Sequence, residues 1–128
     1  MNPELLKEIE AFAKSYYQRI ISDERIWDDH IRLVRKFALE LAEIENADKY
    51  VVDVAATLHD VGKIKGYENH SEKSYYISKE FLETTGILEA NRNLILKCIL
   101  KHSSKYANEE NEIEVKIIQS ADALAVIY

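Results

Sequence analysis

The four histidines of this chain stand near the ends of expected helices or beside acidic residues. One of them forms the doublet His59-Asp60, whose imidazole and carboxylate are both good ligands for a divalent metal ion. On an ideal helix these neighbours lie about 100° apart, so both reach the same ion only where the helix is ending. Gly62 predicts that end, because glycine readily adopts the left-handed conformation that terminates helices. The partial negative charge of a helix C-terminus also favours a nearby cation.

Two further ligands are expected from distant parts of the sequence. His30 lies near the start of an expected helix, and Asp122 lies in the last one. The neighbours of Asp122 are alanines and a leucine, and a carboxylate in such surroundings is costly unless it is paired or binds a cation. Together with the doublet, these residues supply two imidazoles and two carboxylates, whose charge offsets that of a divalent ion. The residues therefore predict a metal centre formed by His30, His59, Asp60 and Asp122.

The elements that must position these residues are predicted to be helices. Only three glycines and one proline interrupt the chain, and apolar residues recur at helical spacing, so the predicted fold class is an all-α, single-domain bundle of about six helices. The first helix is expected to begin at Asn2 and Pro3, and the second to run from Asp28 or Asp29 to about Asn46. The third is expected to be capped by Asp48 and to end at Gly62 in the left-handed conformation.

Three more helices are expected in the second half of the chain. The fourth runs from Asn69 to Gly86, the fifth from about Ile87 to His102, and the sixth begins at a capping box of Asn111 and Glu114.

Composition limits the class of protein. The 128 residues, 47% of them hydrophobic and 31% charged, suit one domain spanning residues 1–128. No apolar run approaches the length that crosses a bilayer, and the start of the chain lacks the apolar core of a signal peptide. The net charge of -6 argues against binding to extended nucleic acid. The one cysteine, Cys98, lies in an apolar stretch and is expected in the core. We therefore expect a cytoplasmic protein that binds neither extended nucleic acid nor membranes.

These motifs resemble the HD-domain superfamily of metal-dependent phosphohydrolases, whose pattern is a histidine, a His-Asp doublet and a distant aspartate. The resemblance rests on three segments, WDDHIRLVRKFA with His30, AATLHDVGKIKG with the doublet, and EVKIIQSADAL with Asp122. It implies a helical bundle that hydrolyses phosphate esters or anhydrides, usually of nucleotides, with a divalent metal ion such as Mn, Fe, Co, Ni or Mg. Many relatives carry further helices where this chain ends, so the resemblance also implies an open active site, which a homodimer could close.

The resemblance assigns roles to three more residues. In members with two metal ions, histidines at places like His70 and His102 bind the second ion. In members with one ion, such histidines contact substrate or are structural, and the sequence leaves these alternatives open. Lys63 is expected to approach a phosphate oxygen beside the metal, the alternative being a solvated lysine. The implied catalytic residues are thus Asp60, Lys63 and His70, and the implied substrate-binding residues are Lys63, His70 and His102.

Other residues with suitable chemistry are less specific. Arginine suits bidentate contacts to phosphate, which makes Arg19 and Arg35 candidates for binding substrate. Aromatic residues flank the expected site and could stack on a base, although aromatic residues at helical spacing are usually core. These are Tyr67, Tyr75, Tyr76 and Tyr106.

The resemblance leads to a specific mechanism and leaves two rivals. A metal-bound water would attack phosphorus, Asp60 would orient that water, and His70 or Lys63 would offset charge on the phosphate. The expected substrate is a small phosphorylated molecule, most naturally a nucleotide. The first rival is a di-iron oxygenase on the same scaffold, because all six potential ligands are present. The second is a nucleotide-binding or signalling module without turnover.

Overall fold

The described part of the chain forms a bundle of six α-helices, in agreement with the all-α prediction. The computed structural model describes residues 2–106 and 112–127, and no strand occurs among them. The helices are α1 (Pro3–Tyr17), α2 (Arg32–Glu45), α3 (Lys49–Leu58), α4 (His70–Leu82), α5 (Glu89–Leu100) and α6 (Ile113–Ile127). Short 3-10 turns lie at Ile21–Asp23, Val61–Lys65 and Ser104–Tyr106, and a π-helical turn at Trp27–Ile31 leads into α2. None of the described helices is long and apolar enough to span a membrane.

Two of the expected helix caps are confirmed. The Asn2 side chain accepts hydrogen bonds from the backbone N–H groups at the start of α1, and the Asp48 carboxylate accepts one from Val51. Each satisfies a donor that has no partner within its own helix. Asn46 ends α2 in the left-handed conformation, with a φ of 54°. The turn between α2 and α3 is therefore defined by local sequence.

The expected cap of the second helix is wrong. Neither Asp28 nor Asp29 caps it, because the chain is already helical there and the Asp29 N–H donates to the carbonyl of Arg25. The two carboxylates instead form exposed ion pairs, Asp29 with Arg25 and Asp28 with Arg32, each one helical turn away. The Arg32 N–H donates to the Trp27 carbonyl, which gives the wider π-helical turn.

The expected end of the third helix is also wrong. Gly62 does not have a positive φ, whereas Gly66 and Gly86 do, with φ of 98° and 77°. The last residue of α3 is Leu58, and the chain then tightens into the 3-10 turn at Val61–Lys65. The doublet therefore does lie at a helix end, but Gly62 does not produce that end through its own conformation.

Gly62 is instead needed for close packing against α4. A Cβ atom added to Gly62 would lie 2.4 Å from the Ser74 nitrogen, 2.6 Å from the His70 carbonyl oxygen and 2.7 Å from the Lys73 Cβ. The Gly62 N–H donates to the Ser74 hydroxyl at 2.8 Å. The turn after the doublet and the first turns of α4 therefore touch backbone to backbone, which a larger residue would prevent.

The remaining boundaries differ from the predictions by a few residues. Helix α5 ends at Leu100, before His102, and α4 ends at Leu82, before Gly86. Asn111 of the expected capping box lies outside the described residues. The side chain of its expected partner, Glu114, accepts a hydrogen bond from the Asp48 N–H at 3.0 Å and so joins the start of α6 to the start of α3.

Helix α3 lies at the centre of the bundle. Every residue from Val51 to Leu58 is buried, and α3 packs against α1, α2, α5 and α6. Helix α2 also packs along α6, which brings two distant parts of the chain together. Cys98 on α5 is fully buried, in agreement with the expected core role. Because α3 contacts most of the bundle, the residues at its C-terminal end are held from several sides.

Candidate metal centre

Four side chains from three parts of the bundle converge at the end of α3. His30 comes from the π-helical turn, His59 and Asp60 follow α3, and Asp122 comes from α6. One potential ligand atom from each residue lies within 4.8 Å of those of the others. The His30 Nε2 is 3.0 Å from the Asp122 Oδ1 and 3.2 Å from the Asp60 Oδ2, and the His59 Nε2 is 3.2 Å from both of these oxygens. We call these four residues the primary cluster.

A second group shares one residue with the first. His70, the first residue of α4, and His102, beyond α5, place their Nε2 atoms 3.4 Å and 3.7 Å from the Asp60 Oδ1. These three residues, Asp60, His70 and His102, are called the secondary cluster. The two oxygens of Asp60 therefore face different groups, Oδ2 the primary cluster and Oδ1 the secondary one. A bridging carboxylate between two cations would need this arrangement.

The backbone fixes the direction of three imidazoles. Each Nδ1 lies close to the carbonyl oxygen of the residue three positions earlier in the chain. The distances are 2.6 Å for His59 to Ala56, 2.7 Å for His102 to Ile99 and 3.0 Å for His70 to Tyr67. A carbonyl only accepts, so each Nδ1 must carry the proton and donate. The Nε2 atoms are then the ones available to a cation, and the rings are already oriented. Metal-binding histidines in proteins are commonly held in this way.

The charges within the primary cluster balance each other. Burial opposes protonation of His59, but the fields of Asp60 and Asp122 outweigh it and raise the pKa of His59 to about 10. Asp122 and Asp60 likewise overcome the cost of burial and raise the pKa of His30. Burial opposes ionisation of both carboxylates, yet His30 and His59 hold the pKa of Asp60 and of Asp122 well below the ordinary value. The two carboxylates thus stabilise positive charge at the positions of the two imidazoles, and a bound dication would provide the same balance.

The residues present fit a metal ion. Asp60 is 1% exposed, and five nitrogens surround its two oxygens at 3.1–3.7 Å, one from each of the four histidines and one from Lys63. None of these contacts has good hydrogen-bond geometry. A buried carboxylate is costly unless cations compensate its charge, and a metal ion bound to both oxygens would do so. Imidazole nitrogens with carboxylate oxygens suit first-row divalent ions such as Mn, Fe, Co and Ni.

A buried tyrosine supports the doublet from α1. The Tyr17 hydroxyl donates to the Thr57 carbonyl at 2.7 Å and accepts from the Asp60 N–H at 3.3 Å. It thus joins the last turn of α3 to the residue shared by both clusters. Nothing in the sequence signals this role of Tyr17, because a tyrosine at helical spacing has the pattern of an ordinary core residue.

Removing this hydroxyl is expected to weaken both the fold and the metal centre. In Tyr17→Phe, the Thr57 carbonyl and the Asp60 N–H lose their partner inside the core, which costs about 1–2 kcal/mol. We expect a lower free energy of unfolding in urea and weaker metal binding by titration. The neighbouring Tyr16→Phe is the matched control, because Tyr16 contacts Phe12 and Arg19 through its ring, which phenylalanine keeps. Equal stability and metal affinity in Tyr17→Phe and wild type would contradict the supporting role.

The other predicted site residues separate into near and distant ones. Lys63 lies at the site, with its Nζ 3.1 Å from the Asp60 Oδ2. Arg35 does not reach it, because its guanidinium binds the carboxylates of Asp53 and Glu10, both at 2.7 Å, and joins α1, α2 and α3. Tyr67 lies beneath the Lys63 ammonium, at 5.0 Å from the ring centroid. Tyr106 lines a small cavity with His70, whereas Tyr75 and Tyr76 contact each other on α4, and Tyr75 lines a cavity between α4 and α5.

An open cavity of about 330 Å³ lies directly beside the clusters. Three of its lining residues come from one face of α6 and were not singled out in the sequence, namely Gln119, Ala123 and Val126. Gln119 lies three residues before Asp122 and Val126 four after it, and Ala123 has the same spacing to those two residues. That spacing is the one signal that could have identified them, since residues three and four apart share a helix face. The Gln119 side-chain amide donates to the Lys101 carbonyl at 2.9 Å, so its orientation is fixed.

The fold and this site define the class of protein. Residues 27–127 match the HD domain family, and the matched segment contains both clusters. The chain therefore belongs to the HD domain family, a superfamily of metal-dependent hydrolases.

Two particular proteins are similar to this chain. The uncharacterized protein YpgQ of Bacillus subtilis (strain 168) is 30% identical over 130 residues, which cover 95% of this chain and 62% of YpgQ. The chain thus spans about three fifths of the length of that relative. A crystal structure of a predicted HD superfamily hydrolase from an uncultured Thermotogales bacterium superposes with a TM-score of 0.78 at 24% identity, covering 93% of this chain and 67% of the other. That likeness shows the shared fold.

Proposed function

We propose that this protein is a metal-dependent phosphohydrolase that cleaves an ester or anhydride bond in a nucleotide or similar small phosphorylated molecule. The observation that carries the proposal is Asp60, a buried carboxylate whose two oxygens face four imidazoles, two on each side. Such a residue is stabilised by cations on both sides, and the cavity beside it is open enough for a substrate. Its HD domain membership supports the same reaction class.

Each residue near the clusters has a role in this proposal. The primary cluster would hold the metal ion, which polarises a phosphoryl oxygen and lowers the pKa of a bound water. Asp60 would orient that water, because its oxygens are fixed between the two clusters. Lys63, whose Nζ already contacts Asp60, would offset negative charge on the phosphate in the transition state. His70 and His102 would lie nearest a substrate in the 330 Å³ cavity, which they help to line.

The secondary cluster would hold a second metal ion in this proposal. Burial and the nearby charge of His59 lower the pKa of His102 to about 4, so its ring is neutral at neutral pH. Its Nε2 then carries a lone pair that points at the His70 Nε2, 3.2 Å away. Because both Nδ1 atoms donate to carbonyls, the Nε2 atoms of His70 and His102 both face the Asp60 Oδ1. A shared cation would be bound by these three atoms.

The number of metal ions bound per chain tests whether the secondary cluster binds a second ion. Protein that is stripped with chelator and dialysed against Mn²⁺ is expected to retain two ions per chain by elemental analysis. His70→Gln is expected to retain one, since the primary cluster does not include His70. Glu72→Gln, an exposed position on the same turn of α4, is the matched control and should keep two. One ion in the wild type and the same number in His70→Gln would contradict the second site and leave His70 and His102 as substrate contacts.

The proposed function includes a cellular compartment and a set of binding partners. We place it in the reducing cytoplasm, with a small phosphorylated substrate and neither extended nucleic acid nor a membrane as partner. A homodimer that closes the open cavity is a further part of this proposal, and the exposed Val126 and Ile127 side chains on α6 would be available for it.

Restored turnover tests the proposed function. The stripped protein is supplied separately with Mn, Co, Ni, Fe or Mg and screened against nucleoside mono- and triphosphates, cyclic nucleotides and generic phosphodiesters. We expect one or more divalent ions to restore release of phosphate or pyrophosphate. Retained iron with oxygen consumption and no phosphate release would favour the di-iron oxygenase. Nucleotide binding without any product would favour a binding or signalling module. Either result would contradict the hydrolase.

A further inference from the structure

A second open cavity borders the metal centre on the side of Lys63. Its volume is about 400 Å³, and it lies between the segment after α1 and the turn after the doublet. Arg19, Ile21 and Ser22 line one side, and Lys63 and Tyr67 line the other. Lys63 and the Tyr67 carbonyl also belong to the metal centre, whereas Arg19, Ile21 and Ser22 lie outside it.

The charge of this cavity is unusual for the protein. The chain carries a net charge of -6, yet the residues that line the cavity include two cations and no carboxylate. The cavity beside the secondary cluster is different, since Asp122 forms part of its wall. A cavity that concentrates positive charge beside a metal centre attracts anions from solution.

Arg19 is held in place but is not neutralised by an acidic residue. Its Nε donates to the Ser15 carbonyl at 2.9 Å, and its guanidinium stacks over the Tyr16 ring at 4.7 Å. No carboxylate of the described residues forms an ion pair with Arg19. Arg25 and Arg32 each pair with one carboxylate, and Arg35 pairs with two. The terminal nitrogens of Arg19 therefore remain available in a fixed orientation. A guanidinium that is held in one orientation and is not paired with a carboxylate suits bidentate binding of a phosphate.

Lys63 connects this cavity to the metal centre. Its Nζ lies 3.1 Å from the Asp60 Oδ2 and 5.0 Å from the centroid of the exposed Tyr67 ring. The same ammonium therefore touches the carboxylate shared by both clusters and forms part of the cavity wall. A second phosphate group that extends from the metal centre on this side would contact Lys63 and Arg19, and no carboxylate lines the cavity.

We propose that this cavity is an anion subsite that binds a second phosphate of the substrate, joined to the phosphate at the metal centre, and that Arg19 is its anchor. The inference rests on the proposed function for the first phosphate. It narrows the substrate class to molecules with two or more linked phosphate groups. The organic part of such a substrate would then lie on the other side of the clusters, along the Gln119 face of α6, where no lysine or arginine lines the cavity.

Pyrophosphate binding to the metal-free protein tests the subsite without relying on hydrolysis. In heteronuclear NMR titrations we expect pyrophosphate to shift the amide resonances of residues 19–22 and 63–67 and the Arg19 Nε resonance. Charge-assisted hydrogen bonds of this kind are worth about a tenfold change in affinity or more, so Arg19→Gln should weaken binding by about that factor. Arg92→Gln removes an arginine on α5 that does not line this cavity and should bind as the wild type does. Unchanged affinity in Arg19→Gln, or shifts confined to other residues, would overturn the subsite.

A kinetic comparison separates this proposal from the function on which it rests. With the metal-loaded protein, Arg19→Gln should raise KM about tenfold for a substrate with linked phosphates and leave KM for a monophosphate ester unchanged. Arg19→Lys keeps the charge but loses the planar fork, so we expect an intermediate KM. Pyrophosphate binding at Arg19 without any turnover would support the subsite and contradict the hydrolase. Turnover of linked phosphates with an unchanged KM in Arg19→Gln would contradict the subsite and support the hydrolase.

Discussion

Asp60→Asn is expected to abolish metal binding and to reduce turnover by about a thousandfold or more. The substitution keeps the size of the side chain but removes its charge, and it replaces one oxygen with an N–H donor. Whichever way the amide turns, a donor would then face the imidazoles of one cluster. A catalytic metal contributes several kcal/mol of transition-state stabilisation, and each 1.4 kcal/mol or so corresponds to a factor of ten in rate.

The experiment separates loss of metal from loss of fold. Metal content by elemental analysis and turnover are measured beside the circular dichroism spectrum, which should remain helical. Asp28→Asn is the matched control, because Asp28 lies close to His30 in sequence but its side chain is 50% exposed and pairs with Arg32. The double variant His59→Ala with Asp60→Ala should lose metal and activity together. Retention of either one in the double variant, or of normal metal content in Asp60→Asn, would exclude Asp60 as a ligand.

Gly62→Ala is expected to lower the free energy of unfolding by about 3 kcal/mol and the melting temperature by about 10 °C. The new methyl group would lie 2.4 Å from the Ser74 nitrogen and 2.6 Å from the His70 carbonyl, and neither backbone atom can move without moving α4. Because His70 begins α4, the substitution should also displace His70 from Asp60. We expect the second metal ion to be lost at temperatures where the protein remains folded.

Gly86→Ala distinguishes crowding from backbone strain. Gly86 has a φ of 77°, but an added Cβ would meet nothing within 4 Å. Its substitution should therefore cost only the strain of a left-handed conformation, about 1 kcal/mol, and should leave metal content unchanged. Thermal unfolding and metal analysis of both variants compare the two effects directly. If Gly62→Ala were no more destabilising than Gly86→Ala, the close contact between the doublet turn and α4 would not be a requirement of the fold.

The sequence predicted the helical bundle and the residues that would come together in it. Few helix-breaking residues and regular apolar spacing were sufficient for the fold class, and the Asn2 and Asp48 caps followed from local chemistry. The doublet, His30 and Asp122 were expected to meet, and the structure places a ligand atom from each within 4.8 Å of the others. That these residues bind metal stays a prediction. Local patterns succeed in these cases because each depends on neighbouring residues or on the high cost of burying a carboxylate.

Only the tertiary structure decided the features that depend on distant neighbours. Gly62 has no special φ, and its need for a small side chain comes from the backbone of α4. Arg19 and Arg35 were equal candidates in the sequence, but Arg35 pairs with carboxylates from α1 and α3 while Arg19 lines a cavity beside Lys63. The sharing of Asp60 between two clusters likewise follows from where α4 and the segment after α5 pack. Residue type and helical spacing fix which side chains can do chemistry, whereas packing between helices fixes which of them face each other.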